Sequence, residues 1–89
     1  MNLRDYLENV KDRETFIEFL NALIEDRSNA EGLEQQNIEN YQSGTALGWQ
    51  NTNIESYLQA ALVWLVDSDR REVSWKLMAE FLYSGKIYK

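Results

Sequence analysis

The fold of this chain is decided by residues 52–66, which read TNIESYLQAALVWLV. Thr52 and Glu55 have the spacing of a capping box, in which each side chain bonds a backbone N–H at the start of a helix. Apolar residues then recur at the helical period. They are Ile54, Leu58, Ala61, Leu62 and Leu65, broadened by Tyr57, Ala60 and Trp64. Because this helix is apolar over more than half its circumference, we expect it to be central, with Leu58, Leu62 and Leu65 buried.

The same period recurs on both sides of this helix and predicts an all-α domain of four helices around one core. We expect the helices at about residues 2–10, 13–27, 53–66 and 70–84. Asp12 is placed to cap the second helix, and residues 28–32 are expected to end it, with Gly32 as a left-handed cap. Asp69 begins a second box-like start, and Ser84 with Gly85 is expected to end the fourth helix, leaving residues 86–89 as a short tail.

A long connection over residues 28–52 separates the second and third predicted helices. It contains three of the four glycines in the chain and is rich in Asn and Gln. Structureless connections longer than about 12 to 15 residues are uncommon in compact domains. The connection therefore either contains a helix within residues 28–42 or wraps around the bundle, and the sequence leaves both interpretations open.

Composition excludes several classes of function. The 89 residues correspond to one domain, and the absence of Cys and His removes disulfides, thiolate metal sites and the Ser-His triad. Nine Lys and Arg against 15 Asp and Glu give a net charge of −6, without the basic patch that nucleic acid or an anionic membrane would need. The apolar run 60–66 is too short to span a membrane. We expect a cytoplasmic protein without a cofactor or a metal site.

Three segments carry a resemblance to a known family. Residues 48–61 read GWQNTNIESYLQAA and are followed by Trp64, residues 81–88 read FLYSGKIY, and residues 12–16 read DRETF. The pattern GW-x-N-x-x-I-x-x-Y-L-x-A-A with F-L-Y-x-G-K-x-Y resembles a family of small acidic bacterial domains of unknown function. The resemblance covers nearly the whole chain except residues 28–42. It implies a free-standing compact domain and no activity, cofactor or catalytic residue.

The candidate binding residues are two aromatics and three carboxylates. Trp49 follows a glycine and lies outside any helical stripe, so it is either a lid over the bundle or a binding anchor, since Trp and Tyr dominate interface hot spots. Glu14, Glu18 and Glu25 lie on the polar side of the second predicted helix and would steer a basic partner. If the protein is a binding module, we expect Trp49 or Tyr41 to be partly exposed on the side facing these glutamates.

The sequence predicts a non-enzymatic, soluble protein-interaction module that is a monomer or a weak homo-oligomer and has an unidentified protein partner. The alternative is an immunity or inhibitor protein that neutralises a basic effector, for which the acidic first half would accelerate association. A small enzyme that uses carboxylates ranks last, because no nucleophile and base stand at a recognisable spacing.

Overall fold

The computed structural model describes residues 2–36 and 46–88, which form four α-helices and one short 3₁₀ turn. The helices are α1 (Leu3–Glu8), α2 (Arg13–Gln36), α3 (Ile54–Ser68) and α4 (Trp75–Ile87), and the turn is Ala46–Gly48. These described residues contain no β-strand. The predicted all-α fold with four helices is therefore confirmed.

The start of α2 is as predicted, and its end is not. The Asp12 carboxylate accepts the Thr15 backbone N–H at 2.9 Å, and the Thr15 hydroxyl accepts the Asp12 N–H at 3.1 Å. The pKa of Asp12 is lowered below its usual value by the hydrogen bonds that its carboxylate accepts, first from the Thr15 backbone N–H and then from the Thr15 hydroxyl at 2.7 Å. The helix then continues through Gly32 to Gln36. Residues 28–36 of the predicted connection are thus helical, because Gly32 is tolerated in a helix interior at a cost of about 1 kcal/mol.

The caps of α3 and α4 differ from the predicted ones. Asn53 caps α3 by accepting the Ser56 N–H at 2.8 Å, so the predicted box at Thr52 is wrong by one residue. Ser74 caps α4 by accepting a backbone N–H at 3.0 Å, so the start predicted near residue 70 is about five residues early. Both Asn and Ser are strong N-caps, and the sequence offers several such residues close together. The expected end of α4 at Gly85 is also wrong, since α4 runs to Ile87.

The core is built on α2 rather than on α3. Phe16, Phe19, Leu23 and Ala30 of α2 are buried, and Phe19 is fully enclosed. Their buried partners come from several parts of the chain and are Val10, Ala46, Trp49 and Ala79. In this arrangement α2 packs against α1 and α4, whereas α3 packs mainly against α4. The expectation of a central α3 is therefore wrong. The molecule is also thin, at 42 × 27 × 16 Å.

The orientation of α3 exposes the side that the sequence predicts to be buried. Leu58 is 51% exposed and Leu62 is 56% exposed, whereas Ala60 and Ala61 are buried and Leu65 is half-buried. The buried side is turned by about a quarter of a turn from the predicted one. Small side chains on this side let the backbones of α3 and α4 approach closely. Since α3 is apolar over more than half its circumference, its periodicity alone does not select which part of the apolar side packs.

Candidate functional site

The structure separates the predicted site residues. Trp49 is only 4% exposed, which fits the interpretation of Trp49 as a lid and not that of an exposed binding anchor. Tyr41 lies outside the described residues. Glu14, Glu18 and Glu25 are exposed along α2, as an amphipathic helix requires.

A polar cluster holds Trp49 in place. One oxygen of the Asp26 carboxylate accepts both the Trp49 indole N–H at 2.9 Å and the Lys86 ammonium at 2.7 Å. Lys86 is buried, and its Nζ lies 5.6 Å from the centroid of the Trp49 ring. The Arg27 guanidinium lies 5.3 Å from the same ring, and Tyr57 stacks on it with the centroids 6.1 Å apart. These contacts allow Trp49 to be buried, because an indole N–H needs a hydrogen-bond partner when it is removed from water.

The segment around Trp49 is a strap across the bundle, which we define as residues 46–51. The Gln50 N–H donates to the carbonyl of Lys86 at 2.8 Å. The Asn51 amide donates to two carbonyl oxygens at the end of α4, at 3.0 and 2.7 Å. On the other side, Glu34 of α2 accepts the Ala46 N–H at 3.3 Å. The strap is therefore bound to both α2 and α4, and for these residues the structure fits the lid interpretation rather than the anchor one.

Tyr57 locks α3 against α4. Its hydroxyl donates to the carbonyl of Leu82, and burial raises the pKa of Tyr57 to about 12. Gly85 lies beneath the ring, and a Cβ at that position would be 2.6 Å from the Tyr57 Cε1 atom. This close approach explains why a glycine lies inside α4 rather than at its end. It also fixes which side of α3 faces α4.

An acidic cleft lies between α1 and α2. Its volume is about 510 Å³, and Glu18, Glu25 and Asp26 line it together with Tyr6. Two of the three predicted glutamates thus share one concave surface, and Glu14 is not part of its lining. Within residues 2–36 and 46–88, no group of three or more carboxylates is placed to hold a metal ion.

An apolar row on α3, which the sequence assigns to the core, is exposed in the structure. We define the α3 stripe as Ile54, Leu58, Leu62 and Val66, which follow one another at four-residue steps. At the two ends of the stripe, Ile54 is 76% exposed and Val66 is 68% exposed, and the two leucines between them are about half-exposed. Single exposed aliphatic residues are normal on protein surfaces, whereas contiguous ones mark contact surfaces.

Burial of the stripe would contribute a hydrophobic free energy that the single chain does not gain. Its four side chains together expose the equivalent of about two and a half whole side chains. At about 1.5 to 3 kcal/mol for each, covering them would contribute about 4 to 7 kcal/mol. A signal for this exposure was present in the sequence. The adjacent Ala60 and Ala61 lie between Tyr57 and Trp64, which is a side suited to close helix packing.

None of the helices in the described residues is long and apolar enough to cross a membrane. Comparison of the chain with protein-family models, curated proteins and solved structures finds no match. The resemblance to small acidic bacterial domains therefore stays a prediction.

Proposed function

We propose that the protein is a non-enzymatic protein-interaction module whose contact surface is the α3 stripe. The observation that carries the proposal is the exposure of four consecutive turns of aliphatic side chain on a helix that packs mainly against one neighbour. Contact between water and such an apolar row is unfavourable. A protein partner with an apolar face would cover the row and remove that contact. The cytoplasmic location expected from the sequence belongs to the same proposal.

The stripe supports association with a protein better than binding of a small molecule. It lies on the outer side of a helix, whereas small-molecule sites are concave and enclose most of their ligand. The helix that carries the stripe is held in position, since Tyr57 and the buried alanines fix the rotation of α3. A preformed apolar surface of this kind binds without first ordering a flexible segment.

Affinity capture with matched variants tests the proposal. Immobilised wild-type chain is compared with Leu58→Glu in the stripe and with Ile24→Glu on α2, where Ile24 is 63% exposed. Both variants place the same charge at an exposed position, and circular dichroism checks that both fold. We expect wild type and Ile24→Glu to retain the same proteins from a native lysate. Leu58→Glu should bind them at least about 30-fold more weakly, as at a hot spot.

Two results would contradict the proposal. Equal retention by wild type and Leu58→Glu would show that the stripe is not the contact surface. If none of the three immobilised chains retains any protein, not even further copies of the same chain, the stripe has no partner.

The acidic cleft favours a second candidate function, an immunity or inhibitor protein that neutralises a basic effector. Residues 2–36 contain nine acidic and four basic side chains, and Glu18, Glu25 and Asp26 of this segment line the cleft. A negative concave surface raises the rate at which a basic partner associates.

Stopped-flow mixing with a lysine-rich peptide tests this candidate. The association rate should fall steeply with added salt and fall further in Glu18→Gln/Glu25→Gln, whereas Glu72→Gln, outside the cleft, should resemble wild type. An association rate that is the same in all three proteins would rule out the cleft as the site.

A further inference from the structure

We propose that the α3 stripe is covered by a second copy of this chain, with the two α3 helices antiparallel across a two-fold axis that passes between Leu58 and Leu62. This inference rests on the proposed function and names the partner for the same surface. Four features of the chain support it: the order of the side chains, the distribution of charge, the row beside the stripe and the exposed area.

The stripe has the same pattern of side chains when it is read from either end. Its ends are the β-branched Ile54 and Val66, its centre is two leucines, and all four stand at equal steps. A two-fold axis brings the same patch of both copies together in opposite directions. Ile54 then meets Val66 of the second copy, and Leu58 meets Leu62 of the second copy. Each side chain therefore faces one of similar shape.

The charge distribution allows two copies of an acidic protein to meet at this surface. Residues 2–36 contain nine of the acidic side chains, and they form α1 and α2, whereas α3 packs mainly against α4. Residues 54–66 contain one charged side chain, Glu55. A charged partner would find almost nothing to pair with along the stripe, and an apolar helix face is the better fit.

The direction of packing follows from Glu55 and from the helix dipoles. A parallel two-fold pair would place the Glu55 carboxylates of the two copies at the same end, where they repel each other. The antiparallel pair separates them and brings the N-terminus of each α3 towards the C-terminus of the other, which the helix dipoles favour. Gln59 lies in the adjoining row near the axis. There its amide can both donate a hydrogen bond to Gln59 of the second copy and accept one from it.

The exposed area matches a small dimer interface. The four residues of the stripe expose the equivalent of about two and a half whole residues per copy. At roughly 120 Å² of apolar area each, two copies would bury about 600 Å² of apolar surface. Homodimer interfaces are about 65% apolar, which gives a total of about 900 Å². This total lies near the lower limit of about 1,000 Å² for stable specific interfaces, so we infer a weak, reversible dimer rather than an obligate one.

Sedimentation equilibrium with matched variants tests the dimer. Wild type and Ile24→Glu should pass from monomer to dimer between about 10 μM and about 1 mM, the range of a small interface. Leu58→Glu places a carboxylate against the apolar face of the second copy. It should weaken dimerisation at least about 30-fold and leave the protein monomeric over this range. Circular dichroism of all three proteins separates loss of the interface from loss of the fold.

Cross-linking tests the antiparallel arrangement. The chain has no cysteine, so Ile54→Cys and Val66→Cys each introduce a single thiol. A short bis-maleimide should join Ile54→Cys to Val66→Cys in a mixture of the two variants. It should not join either variant to itself, because identical positions lie about 18 Å apart along the antiparallel helices. Preferential cross-linking of each variant to itself would overturn the antiparallel arrangement.

The dimer and the proposed function fail in different ways. A wild type that is monomeric up to about 1 mM overturns the dimer, since that concentration exceeds the expected dissociation constant. If the lysate still yields a different protein that depends on Leu58, the proposed function stands without the dimer. If neither form of association depends on Leu58, both are overturned.

Discussion

Replacing Asp26 with alanine removes the one carboxylate oxygen that Trp49 and Lys86 share. In the wild type this oxygen accepts the indole N–H at 2.9 Å and the ammonium at 2.7 Å. The side chain of Lys86 is only 10% exposed, so in the variant its charge stays largely out of water without its ion-pair partner. The indole N–H also loses its acceptor. The strap would then lose one of its two hydrogen bonds to α2, and would keep the one from Ala46 to Glu34 and those from Gln50 and Asn51 to α4.

The structure gives the size of the expected effect. Removing one partner of a fully buried ion pair costs about 3 to 5 kcal/mol. Since the Asp26 side chain is 21% exposed, water relieves part of the penalty, and the lower value of about 3 kcal/mol applies. A chain of 89 residues has a total stability of about 4 to 13 kcal/mol. The urea midpoint should therefore fall by about 2 to 3 M.

Urea denaturation followed by far-ultraviolet circular dichroism measures this change without relying on the fluorescence of Trp49 itself. Glu25→Ala is the matched control, because Glu25 is the exposed neighbour of Asp26, and its stability should stay within about 0.5 kcal/mol of wild type. In Asp26→Ala/Lys86→Met, both charges are absent, so the double variant should be more stable than Asp26→Ala. If Asp26→Ala unfolds within about 0.5 kcal/mol of wild type, the reasoning on the cluster is refuted.

Three further predictions concern the helix contacts and caps. Gly85→Ala should lower the free energy of unfolding by about 1 to 3 kcal/mol in urea, because its Cβ would clash with Tyr57; an unchanged midpoint would show that the ring moves away freely. Asn53→Ala should cost about 1 kcal/mol and Thr52→Ala much less, and the opposite order in thermal melts would restore the predicted cap. The lowered pKa of Asp12 implies a stability contribution that is complete above the usual pKa of 3.8 and is lost as the pH falls through the folded-state pKa. Between about pH 4 and about pH 2, wild type should therefore lose more stability than Asp12→Asn. An equal loss of the free energy of unfolding in urea for the two proteins would contradict this.

The sequence predicted the helices where local chemistry determines them. The capping hydrogen bonds of Asp12 involve residues three positions away, so the start of α2 follows from residues 12–15 alone. The end of α2 does not, because Gly32 is compatible with either a helix interior or a left-handed cap. Part of what holds the helix beyond Gly32 is distant in sequence, since Glu34 accepts a hydrogen bond from the Ala46 N–H of the strap.

The burial of Trp49 and the exposure of the α3 stripe depend on distant residues. Asp26, Trp49 and Lys86 come together from three parts of the chain, and no spacing rule connects them. The rotation of α3 depends on the fit between Tyr57 and Gly85, which lie 28 positions apart. Periodicity identifies the packed side of a helix only where the apolar side is no wider than the packed one, and the apolar side of α3 is wider.

The most direct test of the α3 stripe as the contact surface is a concentration series of ¹H–¹⁵N correlation spectra of the wild-type chain. As the concentration rises from about 10 μM to about 1 mM, the amide shifts that move should be those of residues 54–66. The amides of α1 and of residues 13–27 should stay in place, and the same series on Leu58→Glu should show no movement. Shifts that move around Glu18 and Glu25 instead would contradict the α3 stripe as the contact surface, and wild-type spectra that do not change would overturn the dimer.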